Sequence, residues 1–73
     1  MQDHYNGYLI VSDSQKLQSG KWSVSVFVER DEVSDGISRQ RFSAEDGIEY
    51  ILEIEAIHES INLGKRLIDR HQV

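Results

Sequence analysis

Glu55 and His58 are the residues best spaced for metal chemistry, because Glu-x-x-His on a helix places a carboxylate and an imidazole on one side. Metal sites of this kind draw further carboxylates from facing helices, and the chain has the pattern of one helix only. We therefore interpret Glu55 and His58 as a solvated helix flank. His4 and His71 lie near opposite termini and are expected in solvent. No metal and no cofactor is predicted.

A serine nucleophile would have to come from Ser12 or Ser14, with Asp13 and a histidine as partners. No nucleophile elbow or oxyanion loop surrounds these residues. Gly20 and Gly36 are isolated glycines that indicate turns and form no phosphate-binding loop. The expectation is that the chain is not an enzyme.

A contact surface on a sheet is the stronger functional expectation. From Trp22 to Val28, apolar residues alternate with serines, which predicts a strand with one face in the core. Phe27 points away from that face, between Ser25 and Glu29, and an aromatic side chain there is typical of a contact residue. The predicted interaction surface consists of Phe27, Ser25, Glu29, Arg39 and Arg41.

Two other functions remain open. Clustered acids at the start of the helix would let the protein mimic a nucleic acid and inhibit a basic partner, or would simply keep this face soluble. Alternatively, Arg39 and Arg41 would join the helix-end bases and sheet aromatics in binding RNA. The chain carries a net charge of −5, with seven acids against three bases in residues 44–73. This acidic balance argues against binding to nucleic acids and to anionic membranes.

The strands are marked by alternation and by glycines. A first strand is predicted over Tyr8–Val11, and Ser19-Gly20 predicts the turn into a second strand over residues 22 to about 30. Asp35-Gly36 is the expected apex of the next turn. A third strand over Ile37–Phe42 then forms a sheet edge.

A long amphipathic helix follows, with Ile57, Ile61, Gly64 and Ile68 on its apolar face. Gly64 is expected to let the helix approach the sheet closely, under Trp22 or a tyrosine. The helix begins either at a capping box over residues 43–46 or later, near Leu52 or Glu53. We favour the later start, in which residues 48–50 extend the third strand.

Length and composition indicate one domain spanning residues 1–73. The chain contains no cysteine, and the expectation is no disulfide and a reducing compartment. No signal peptide or membrane span is expected from the sequence, so a cytoplasmic location is predicted.

Short motifs spread along nearly the whole chain resemble a group of small bacterial proteins with a βββα domain and no assigned activity. The matching motifs are Tyr5-Asn6-Gly7, Gly20-Lys21-Trp22, Arg41-Phe42, Tyr50 followed by Glu55-Ala56, and Gly64-Lys65-Arg66 before Ile68-Asp69. The chain departs from the group at Leu52, where a threonine or serine cap is more usual. A looser similarity is to HicB-type antitoxin domains, whose glycine-rich stretch before the helix is missing here.

Together these observations predict an α+β fold: a three-stranded antiparallel meander with one long C-terminal helix packed on one face. The predicted function is a non-enzymatic protein-interaction module that acts through the outer sheet face or an open edge. Its partner is expected to be another protein or a second copy, which would make a homodimer.

Overall fold

The structure, a computed structural model, describes residues 1–30, 39–45 and 47–73. In these residues the elements are β1 (Gln2–Tyr5), β2 (Tyr8–Ser12), β3 (Trp22–Ser23), β4 (Ser25–Arg30), β5 (Gln40–Ser43), β6 (Glu49–Tyr50) and α1 (Glu53–Asp69). An antiparallel sheet has the order β1-β2-β4-β5, and β3 pairs with β6 in a second, two-stranded sheet. The α+β class is confirmed. The single three-stranded meander is wrong, because the main sheet has four strands.

The additional strand of the main sheet is β1, which the sequence analysis did not predict. Asn6 and Gly7 both have positive φ, 50° and 82°, and they form a two-residue loop that pairs Tyr5 with Tyr8. Left-handed residues at both loop positions match the twist of the strands that they join. This Asn-Gly loop folds the polar N-terminus back onto β2.

The predicted second strand is interrupted at Val24, which separates β3 from β4. Trp22 pairs with Tyr50 in the small sheet and is only partly buried. The prediction that Trp22 lies in the core beside the valines is therefore corrected, because alternation does not continue across the interruption. Val26 and Val28 lie in the core as expected.

The third predicted strand is described only in its later part. β5 covers Gln40–Ser43 and pairs with β4 at one end of the main sheet, as an edge strand. The predicted Asp35-Gly36 apex and the start of the strand at Ile37 lie outside the described residues. Residues 49–50 do not extend this strand, because they pair with β3 instead.

The later of the two predicted helix starts is confirmed, since α1 begins at Glu53 with Leu52 as its N-cap. Leu52 forms no side-chain capping bond, and Glu53 and Glu55 provide acidic charge in the first turn. Within the described part of the chain, no helix is long and apolar enough to cross a membrane.

The core lies between the main sheet and one face of α1. Its buried cluster consists of Ile10, Val26, Val28, Ile61 and Ile68. Gly64 is also buried, and a Cβ atom at this position would lie 2.7 Å from Cγ2 of Ile10. The predicted close approach is confirmed, but the side chain opposite Gly64 is Ile10, not Trp22 or a tyrosine.

Candidate interaction surfaces

The outer face of the main sheet is the face that α1 does not cover, and it brings together the five predicted contact residues. Phe27 pairs directly with Arg41, Ser25 pairs with Ser43, and the Arg39 side chain reaches Glu29. Side chains at directly paired positions lie on the same face of a sheet. The predicted residues therefore lie on one face of the sheet, although Ser25 is buried in it.

The side chains of this outer face contact one another more extensively than the sequence suggested. Arg39 Nε lies 3.3 Å from Glu29 Oε2, and the Arg39 guanidinium lies 5.3 Å from the centre of the Phe27 ring. Arg41 Nε lies 2.8 Å from Asp13 Oδ2. Ser25 is 1% exposed, and its hydroxyl donates to the Asp13 carbonyl oxygen at 2.7 Å. The Arg39 guanidinium therefore lies over the Phe27 ring, and carboxylates compensate both arginines.

The residues considered for catalysis have structural contacts. The Ser60 hydroxyl donates to the Ala56 carbonyl oxygen at 2.7 Å, so Ser14 is the donor in its 2.8 Å hydrogen bond to Ser60. Ser12 donates to the Met1 carbonyl oxygen. The Ser14 bond attaches the connection after β2 to α1, and the Ser12 bond attaches the end of β2 to the N-terminus. They do not form a nucleophile and base pair.

The helical Glu-x-x-His pair lies in solvent, because Glu55 and His58 are both exposed. Across residues 1–30, 39–45 and 47–73, no group of three or more His, Cys, Asp or Glu side chains is placed to hold a metal ion. The pair therefore has no further ligand among these residues.

The most exposed aliphatic side chains near α1 belong to a short stretch that the sequence analysis did not select. Ile51 is 75% exposed, Leu52 55%, Ile54 50% and Ile48 45%. We call these four residues the apolar segment. Exposed carboxylates lie between and beside them, at Glu49, Glu53 and Glu55. Several large aliphatic residues exposed within seven positions are typical of an interaction site.

A signal for the apolar segment was present in the sequence. Ile51 and Leu52 precede the helical apolar stripe and do not continue its spacing, so the core cannot accommodate them. Ile54, three residues before Ile57, keeps the helical spacing and is half-exposed in the first turn of α1. The signal in the sequence therefore applies to Ile51 and Leu52, which lie outside the periodic positions.

A groove of about 410 Å³ lies between β5 and the C-terminal half of α1. Its apolar lining includes Phe42, Leu63 and Leu67, which are all partly buried, and Arg66 and Arg70 also line it. We call it the arginine groove. Within the described residues, neither guanidinium forms an ion pair, in contrast to Arg39 and Arg41 on the sheet.

A third cluster joins the end of α1 to the first hairpin. The Tyr5 hydroxyl donates to both Asp69 carboxylate oxygens, at 2.8 and 3.0 Å. Lys65 Nζ lies 3.3 Å from Asp3 Oδ2 and 5.7 Å from the centre of the Tyr5 ring. These contacts hold β1 against the helix, so the cluster has a structural role.

The Tyr5 cluster predicts that the stability of the fold depends on pH. The hydrogen bond to Asp69 raises the pKa of Tyr5 above its ordinary value of 10.0, and desolvation and the charge of the Asp69 carboxylate raise it further. A pKa raised by folding adds stability below pH 10, and this is lost as pH rises through the raised value. Asp69→Asn is expected to return the Tyr5 midpoint toward 10, as followed by NMR of the ring carbon that bears the hydroxyl. An identical Tyr5 midpoint in both proteins would contradict this assignment.

Comparison with family models, with curated proteins and with solved structures finds no match to this chain. The resemblance to the small bacterial βββα proteins therefore stays a prediction. The function has to be argued from the surfaces described above.

Proposed function

We propose that this chain is a non-enzymatic protein-interaction module of the cytoplasm, and that the apolar segment is its principal contact surface. The observation that carries the proposal is the exposure of Ile51, Leu52 and Ile54 beside one another at the start of α1. Removing apolar area from water is worth about 25 cal/mol per Å², so a partner that covers these side chains gains binding free energy.

The outer sheet face is the second candidate surface. Leu9 and Val11 are partly buried, and Val11 pairs directly with Phe27, which adds apolar area next to the ring. We rank this face below the apolar segment because Arg39 already lies over Phe27. The pairing of Arg39 and Arg41 with carboxylates also makes RNA binding through this face the weakest of the proposals.

The acidic-inhibitor function involves the same region of the molecule, because Glu49, Glu53 and Glu55 are exposed around the apolar segment. It predicts a basic partner whose affinity falls steeply with salt. An interaction dominated by Ile51 and Leu52 predicts weak dependence on salt. A salt titration of a complex with a different protein therefore separates the two functions.

Ile51→Asp is expected to abolish binding of the partner and to leave the fold intact, because the side chain is three-quarters exposed. Gln18→Asp is the matched control, since Gln18 is also exposed and the change introduces the same charge outside the apolar segment. The measurement is light scattering of the purified chain, together with the yield of stoichiometric complex recovered from native-cell extract.

Wild type and Gln18→Asp should retain the complex, and Ile51→Asp should lose it. Equal complex formation by Ile51→Asp and wild type would overturn the assignment of this surface. If Phe27→Asp loses the complex and Ile51→Asp retains it, the contact surface is the outer sheet face.

A further inference from the structure

The charges on α1 are separated along its length. Glu55 and Glu59 are four residues apart in the first half, and Arg66 and Arg70 are four residues apart in the second half. Like charges at this spacing repel one another on a helix surface. Within the described residues none of these four side chains forms an ion pair, so each half of the helix carries uncompensated charge.

The two charged pairs and the adjoining apolar residues lie on one side of the helix. With about 100° between successive residues, positions 3, 7, 11, 14 and 18 residues beyond Leu52 lie within a narrow arc. The residues on this flank are Leu52, Glu55, Glu59, Leu63, Arg66 and Arg70. Leu63, Arg66 and Arg70 also line the arginine groove, so the flank and the groove are continuous.

A second copy packed antiparallel would compensate the charges of both halves of this flank at the same time. A two-fold axis near the middle of α1 places the acidic half of each helix opposite the basic half of the other. The same operation brings Leu52, with Ile51 beside it, to the arginine groove of the second copy, where Phe42 and Leu67 provide apolar contacts. In a two-fold interface each contact forms twice, so self-complementary charge is the property that it requires.

We propose that the partner of the apolar segment is a second copy of this chain, bound through antiparallel packing of the α1 flanks with Leu52 in the arginine groove. This inference rests on the proposed interaction function and specifies its partner. Opposite charges across the interface fix the antiparallel orientation, because parallel packing would place like charges opposite one another.

The test uses two charge-reversed chains of the full-length protein. One carries Glu55→Lys and Glu59→Lys, and the other carries Arg66→Glu and Arg70→Glu. Each chain alone has like charges along its whole flank and should self-associate at least about tenfold more weakly than wild type. An equimolar mixture restores opposite charges at both contacts and should form a dimer of twice the 8.4 kDa chain mass by sedimentation.

All four substituted residues lie on the outer flank of α1, and circular dichroism checks that the helix is retained. If either reversed chain loses its helix, Arg66→Gln with Arg70→Gln tests the same contact and should still weaken self-association. A monomeric mixture, or reversed chains that dimerise as wild type does, would overturn the proposal.

A wild-type chain that stays monomeric while it captures a different protein in an Ile51-dependent manner would overturn the second-copy partner and leave the proposed function standing. A monomeric chain whose capture of other proteins is the same with Ile51→Asp would overturn both.

Discussion

Replacing Gly64 with alanine is expected to destabilise the fold by about 1–2 kcal/mol, although alanine is the better helix former by about 1 kcal/mol. The added methyl would lie 2.7 Å from Cγ2 of Ile10 and within 3.4 Å of two more of its atoms. Ile10 is fully buried and branched at Cβ, so its side chain has no free space or alternative rotamer in which to relieve the clash.

A double-mutant cycle separates the clash from the helix propensity. Ile10→Ala removes the opposing methyl and should cost about 2–5 kcal/mol by itself. In that background Gly64→Ala should become stabilising, since only the helix propensity remains. Ile10→Val is the matched control, because valine keeps a methyl on Cβ and should keep the clash. Urea unfolding measures each value, and additive effects would contradict the close contact.

Val26→Asp is expected to prevent folding at 25 °C, whereas Phe27→Asp is expected to leave the protein folded. Val26 is fully buried in the core cluster between the sheet and the helix. An unpaired carboxylate there should cost more than about 4 kcal/mol, a large share of the stability of a small domain. Phe27 lies on the opposite face, where a carboxylate meets Arg39 and Arg41.

The two substitutions introduce the same carboxylate at neighbouring positions, and their effects differ because the two side chains lie on opposite faces of β4. Phe27→Asp should cost about 1 kcal/mol, because the ring loses its contact with Arg39. Dispersion of the amide NMR spectrum shows which variant is folded. A folded Val26→Asp protein, or an unfolded Phe27→Asp protein, would contradict the placement of these side chains.

The helix and the valine face could be predicted because both depend on local periodicity. Val26 and Val28 repeat with the period of a strand, and Ile61 and Ile68 with that of a helix, and all four are in the core. The start of the helix was ambiguous in the sequence because Leu52 has no capping side chain. Acidic residues follow both candidate starts, Glu45 and Asp46 at the earlier and Glu53 and Glu55 at the later, so charge does not distinguish them.

The extra strand and the second sheet were missed for different reasons. β1 is polar and shows no apolar alternation, so its only sequence signal was Asn6-Gly7, which we did not interpret as a hairpin. The interruption at Val24 depends on pairing between Trp22 and Tyr50, and local alternation contains no information about that distant contact.

The candidate surface was partly predictable. Alternation around Phe27 placed the five contact residues on one face, but it could not show that Arg39 covers the ring or that Asp13 pairs with Arg41. The apolar segment extends across β6 and the first turn of α1, where the strand and helix patterns change and burial cannot be predicted from periodicity. The exposure of Ile51 depends on the tertiary fold, because other residues of the main sheet and α1 fill the core.

Covalent footprinting with a carbene reagent is the most direct test of the claim that the apolar segment is a protein contact. The dilute purified chain is compared with the same chain at high concentration, and labelling of residues 48–54 is measured against labelling at Phe27. We expect labelling of the apolar segment to fall severalfold at high concentration while Phe27 is unchanged. Equal labelling of residues 48–54 in both samples, or protection confined to Phe27, would contradict the claim.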